Sequence, residues 1–154
     1  MSGAINPFNT PLETGVRLLT LLVEAFPRAL SLDHLVMLDH VLVHTADFGG
    51  PPSVHPASPY RAAEPYVRRE LVHRSLVLFR CRGLLNEIPS ERGFVWEADE
   101  IAAPFLETLN ATYHKKLRDG AHWTVEKFAD TPEIALASAM GERVISAIGV
   151  EVLP

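Results

Sequence analysis

The stretch Glu64-Pro-Tyr-Val-Arg-Arg-Glu-Leu-Val-His-Arg-Ser-Leu-Val-Leu-Phe-Arg-Cys-Arg-Gly83, followed by Leu84-Leu-Asn-Glu-Ile-Pro-Ser-Glu-Arg-Gly-Phe-Val-Trp-Glu97, decides the fold. Its first half reads as one helix. Pro65 suits a first turn, where its missing N–H costs nothing. Gly83 suits the position just past the end, where φ is often positive. Between them Val67, Leu71, Ser75 and Leu78, with Val72, Leu76 and Phe79, recur at helical spacing. The second half reads as a hairpin. Leu84–Ile88 and Phe94–Glu97 are short β-prone runs, and Pro89-Ser-Glu-Arg-Gly93 is a turn-rich gap between them. A basic helix followed directly by a hairpin is the order of a winged helix-turn-helix, with the helix for recognition and the hairpin as wing.

Upstream, Thr10-Pro11-Leu12-Glu13 is a helix start: a Thr cap, Pro at the first position, and Glu placed to reach back. Leu12, Val16, Leu19, Val23 and Phe26 form one apolar stripe, interrupted by Gly15, where a small residue suits close packing. Pro27 ends this helix. Ser31 caps a second helix to about His44, whose apolar residues lie on more than one side, so burial on several sides is expected. The segment 45–63 is rich in Pro and Gly and excludes regular structure. A loop of this length inside a domain is commonly functional or a contact surface.

Downstream, Asp99 is placed to cap a helix through Leu109, with Pro104 kinking it or marking its first turn. Leu106, Leu109, Tyr113, Leu117, Ala121, Val125 and Phe128 keep step at threes and fours. They predict one long helix, or two collinear ones broken near Gly120. Thr131-Pro132-Glu133 starts a last helix, with the stripe Ile134, Ala137, Met140, Val144 and Ile148 and a stop at Gly149. The expected fold is mainly α with a small β-hairpin. A winged-helix domain would span 1–98, including an N-terminal arm and the loop 45–63. Helices of 99–154 would pack on it or on a partner.

The chain has 154 residues and a net charge of −5, so bulk charge does not advertise a nucleic-acid binder. The charge is unevenly placed. Residues 61–82 carry Arg61, Arg68, Arg69, Arg74, Arg80 and Arg82 against two glutamates, a net of +4, whereas the flanking segments carry −3 and −6. Such a helix suits phosphate or an acidic partner. Its arginines spread around the helix, which favours phosphate or protein contacts over base reading. A solvated face with local pairs such as Glu70–Arg74 is the plain alternative. Cys81 is the lone cysteine, so no internal disulfide forms, and on a half-buried helix it reads as core. No signal peptide and no apolar run of membrane-spanning length occur, and a cytoplasmic protein is expected.

Candidates for chemistry are few. His40 and His44, at i and i+4, with Asp47 following, have metal-ligand spacing, but His40-Val-Leu-Val-His44 lacks the glutamate of the metalloprotease helix. Their plain reading is as anchors of the following loop. No nucleophile elbow, phosphate-cradling loop or dinucleotide fingerprint is present.

At Asn6-Pro-Phe-Asn-Thr-Pro-Leu-Glu13, Phe26-Pro-Arg-Ala-Leu30, His44-Thr-Ala-Asp-Phe-Gly-Gly-Pro-Pro-Ser-Val-His-Pro56 and Val67-Arg-Arg-Glu-Leu71, the sequence resembles the middle component of bacterial ABC-three-component systems. The Gly-Gly-Pro-Pro-Ser-Val-His-Pro run is the most specific part, and the resemblance runs from about Asn6 to Phe128. It implies a small winged-helix adaptor without catalysis or cofactor, encoded beside an ATPase related to structural-maintenance-of-chromosomes and double-strand-break-repair ATPases. A third gene would supply an effector, often a nuclease, in an organisation similar to Lamassu anti-phage defence. Phe48, Gly49, Gly50, Pro51, Pro52 and His55 would then belong to a partner-contacting loop. The basic helix would face double-stranded DNA or an acidic patch of the ATPase. Two other readings stand beside it: a stand-alone winged-helix DNA-binding regulator, and a small metal-dependent enzyme using His40, His44 and Asp47.

Overall fold

A computed structural model describes residues 10–54, 69–91 and 93–138. The N-terminal arm, the helix start at Pro65, Arg61, Arg68, His55 and the stripe from Met140 to Gly149 lie outside the described residues.

Helix α1 spans Pro11–Ala25. The Thr10 side chain accepts the Glu13 N–H at 3.2 Å, and Pro11 needs no partner for an N–H it lacks. The expected single stripe is incomplete. Thr14 through Leu22 are buried without a break, because α1 runs through the middle of the protein, against helices on several sides and the sheet. Leu12 and Phe26, at the two ends of that stripe, are exposed. Buried hydroxyls are satisfied within the helices themselves: Thr20 Oγ1 donates to Val16 O at 2.6 Å.

A two-residue strand β1, Leu30–Ser31, leads into α2, Leu32–Val43. Ser31 caps α2 as expected, accepting the His34 N–H at 3.1 Å. Helix α2 is buried from His34 to Val43, in keeping with apolar residues all round its wheel. A 3-10 turn follows, Thr45–Phe48. The basic helix α3 is described over Arg69–Cys81, with Val72, Ser75, Leu76 and Phe79 inward. Gly83 follows it at φ +74°, a conformation that side chains with a Cβ rarely adopt.

The hairpin is longer than the sequence suggested. β2 covers Leu85–Ser90 and β3 covers Gly93–Ala98, so Pro89 and Ser90 extend the ladder, pairing with Phe94 and Gly93. Pro89 is tolerated because β2 is an edge strand of the β1-β3-β2 sheet. β1 was not foreseen. It exists through pairing with β3, Leu30 opposite Trp96 and Ser31 opposite Val95. The molecule is thus mainly helical with one small antiparallel sheet. Among the described residues the order is helix, short strand, helix, helix and hairpin.

Two helices follow, α4 at Ala102–Glu107 and α5 at Thr112–Phe128. The break falls at residues 108–111 and α5 runs unbroken through Gly120, so neither of the two expected forms, one long helix or a break near that glycine, describes this part. A Cβ on Gly120 would lie 3.2 Å from Leu42 Cδ1, so that glycine serves the α2–α5 packing. The chain breaks where Arg118 Nη1 donates to the last carbonyls before the turn, Leu106 O at 3.2 Å and Leu109 O at 3.0 Å. Pro104 sits in the first turn of α4. Residues 133–138 are helical, and Leu136 joins Leu106, Leu117 and Ala121 in the same core as α1, α2 and α3.

Candidate docking face

The outer face of α3 and the adjoining hairpin carry exposed arginines and the carboxylates that meet two of them. The inward set Val72, Ser75, Leu76 and Phe79 fixes which way α3 turns, Leu71, Val77 and Leu78 are half-buried beside it, and the arginines face out. Arg69, Arg74, Arg80 and Arg82 are all exposed. Two of them are met by carboxylates from other elements: Arg69 Nη1 pairs with Asp33 Oδ1 at the start of α2, and Arg80 Nη1 pairs with Glu87 Oε2 on the wing. These pairs tie α3 to α2 and to the hairpin, and are not the local pairing within the helix, such as Glu70 with Arg74, that the sequence offered. His73, itself exposed, lies edge-on to Trp96, ring centroids 6.3 Å apart, and joins α3 to the sheet. Phe94, on β3 near the wing tip, is 57% exposed.

The loop of the expected partner contact is anchored at its start. Phe48 is buried, edge-on to both His40 and Phe128, so its ring serves the core. Gly50 N–H donates to Thr45 O at 2.9 Å, Thr45 Oγ1 donates to Pro51 O at 2.7 Å, and Ala46 N–H donates to Ser53 Oγ at 3.1 Å. A Cβ on Gly50 would lie 2.8 Å from Trp123 ring atoms of α5. Close backbone approach to an indole thus accounts for the second glycine. Pro52 is exposed.

His40 and His44 share a face of α2 as expected, with ring centroids 5.0 Å apart. Both are buried. Among the described residues, no group of three His, Cys, Asp or Glu side chains converges to hold a metal ion, so the structure does not bring Asp47 together with the two histidines as a ligand set. Cys81 is exposed, which corrects the core reading: it lies at the end of α3, beyond the last inward residue, Phe79.

Sequence reasoning missed the polar centre of the fold. Arg17 of α1 lies fully buried, its Nε 2.7 Å from Asp39 Oδ1 and its Nη2 3.2 Å from Asp39 Oδ2 on α2. Burial alone would lower the Arg17 pKa, but the charge and hydrogen bonds of Asp39 outweigh it and hold the pKa above the ordinary arginine value. Tyr113 of α5 hydrogen-bonds to the same arginine, and burial raises its phenol pKa. Twenty-two residues separate Arg17 from Asp39, and a charged residue in a helical stripe gives no local sign of its partner.

Two histidines shift in opposite senses. Burial lowers the pKa of His34, whose Nε2 lies 3.4 Å from Phe128 O. His122, exposed on α5, is raised by its hydrogen bond to Glu24 of α1 at 3.1 Å and by the charges of Glu24 and Glu126. No described helix is long and apolar enough to cross a membrane.

Compared with known proteins, residues 7–149 match the family model described as ABC-three component (ABC-3C) system Middle Component 2. No curated protein and no solved structure matches the chain.

Proposed function

The chain belongs to the ABC-three component system Middle Component 2 family, and from that premise we propose that it is the non-catalytic, winged-helix adaptor of an ABC-three-component assembly. In this reading it links an ATPase of the structural-maintenance-of-chromosomes type to an effector protein, in a cytoplasmic anti-phage or anti-plasmid system organised like Lamassu. The observation that carries the reading is the extent of the match. Residues 7–149 take in the helix-and-wing part and the helices after it, so the family unit includes every described element. The described side chains agree with a scaffold. Its most buried ionic groups, Arg17 and Asp39, join α1 to α2, and its histidine pair lies within packed rings.

Co-expression of the native gene cluster with an affinity tag on this chain tests it. The expected result is a stoichiometric complex containing the ATPase and the effector product. A chain that purifies alone under those conditions overturns the adaptor role.

A stand-alone DNA-binding regulator is the second reading, favoured by the element order with sheet order β1-β3-β2 and by the exposed Arg74 and Arg82. It requires the purified chain to bind duplex DNA with an affinity that falls steeply with salt. Pairing of Arg69 with Asp33 and of Arg80 with Glu87 weighs against it, because both cations already face carboxylates.

A further inference from the structure

The wing and the N-terminus of α2 enclose a groove whose chemistry is opposite to that of a nucleic-acid surface. Two adjoining concavities, of about 230 Å³ and about 370 Å³, share Ser31 and Phe94. The first reaches Leu32 and Trp96 among polar side chains, and the second, lined by Phe94 and Val95, has the more apolar floor. The rim carries four carboxylates: Asp33 is held by Arg69 and Glu87 by Arg80, which leaves Glu91 and Glu133 as the acidic groups turned toward a partner. Glu133 accepts a hydrogen bond from Ser31 Oγ, so one wall is fixed to the α2 cap. β1 ends at Ser31 opposite Val95, and among the described residues no strand pairs with β3 at Phe94 on that side.

From the apolar floor and the acidic rim together, we propose that this groove docks a segment of a partner protein in which lysines or arginines flank an apolar side chain. The apolar residue packs on Phe94, and the cations meet Glu91 and Glu133. Polyanionic DNA is disfavoured here by like charge, and a second copy of this chain offers at this face the same carboxylates. An exposed aromatic at the centre of a charge-complementary rim is the usual form of an interface anchor. The proposal rests on the adaptor reading and names the chemistry of one of the adaptor's partners.

The test uses the full chain co-expressed with its gene cluster, with a photo-crosslinking benzoylphenylalanine in place of Phe94 and mass-spectrometric mapping of the product. The expected crosslink falls within a few residues of lysines or arginines on a partner protein. With that partner purified, Phe94→Ala and Glu91→Lys each weaken binding about tenfold, and Glu133→Gln weakens it less. Rising salt slows association. Circular dichroism melts check that these surface variants remain folded. Crosslinks to DNA, to a second copy or to an acidic segment overturn the proposal. So do a complex that assembles without any crosslink at this position and variants that bind as the parent chain does. If no complex forms at all, the adaptor reading fails, and the groove proposal falls with it.

Discussion

Arg17 and Asp39 meet inside the protein, Nε to Oδ1 at 2.7 Å, with side chains 0% and 2% exposed. A pair so placed fixes how α1 lies on α2, because neither group has water to fall back on. Its net contribution relative to an apolar pair is small, since both charges lost their hydration. Removing one partner is a different matter. Asp39→Ala leaves a guanidinium uncompensated in the core, and the expected loss is about 3–5 kcal/mol. The double variant Arg17→Met, Asp39→Leu regains most of that loss. Urea unfolding of the three proteins decides the point. A single variant as stable as the parent would mean that the pair does not govern α1–α2 packing.

Gly15 exists to admit Phe79. A Cβ built on Gly15 falls 2.2 Å from Phe79 Cε1, far inside contact distance, and Phe79 is itself 2% exposed and unable to swing out. Helix propensity alone would favour Gly15→Ala by about 1 kcal/mol. Overpacking opposes it by about 1–3 kcal/mol, and so severe an overlap lies toward the upper end. The expected result is a net destabilisation, reversed in part when Phe79→Leu is added. Thermal denaturation showing Gly15→Ala alone to be stabilising would refute the close α1–α3 approach.

What the sequence disclosed, and what it hid, follows from the range of the interactions concerned. Thr10, Ser31 and Gly83 were legible because a cap or a helix stop is a matter of three or four neighbouring residues. The hairpin was legible as a hairpin, but not its extent: Pro89 discouraged a strand, and only the sheet order shows that it lies on a free edge. Gly120 left a helix break open as one of two readings, because the reason for it, Leu42, lies on another helix. β1 is two residues long and carries no pattern of its own. The docking groove was likewise hidden. The basic run at 61–82 drew notice to charge of one sign, while Asp33, Glu91 and Glu133, which line the groove beside it, come from three distant segments.

Histidine titration should separate two kinds of environment. His122 is held charged by Glu24, so its folded pKa lies above the ordinary value of about 6.5. Its stabilisation is complete below that value and fades as pH rises through the folded pKa. His34 is held neutral by burial, so its contribution is complete above about 6.5 and fades as pH falls toward its depressed folded pKa. NMR titration of the ring protons should show His122 titrating above His34. Glu24→Gln should return His122 toward its ordinary midpoint and leave His34 unmoved. An unchanged His122 midpoint in that variant would dismiss the α1–α5 link.

The ion pairs on α3 set how basic that helix looks to a partner. Asp33 and Glu87 each oppose one of its arginines, so removing both carboxylates frees two cations on one exposed surface. Exposed pairs stabilise little, about 0–1 kcal/mol each, so Asp33→Ala with Glu87→Ala should hardly alter the melting temperature. Duplex DNA binding should respond far more. Each additional phosphate neutralised steepens the dependence of log affinity on log salt by about 0.9, so two freed arginines predict a slope steeper by about 2. Fluorescence anisotropy across a salt series reads this directly. If the double variant gains affinity and slope over the parent chain, the carboxylates are what keep this helix from behaving as a DNA-binding surface. If its binding and slope match those of the parent, Arg69 and Arg80 were never masked, and the paired charges have no bearing on what the helix meets.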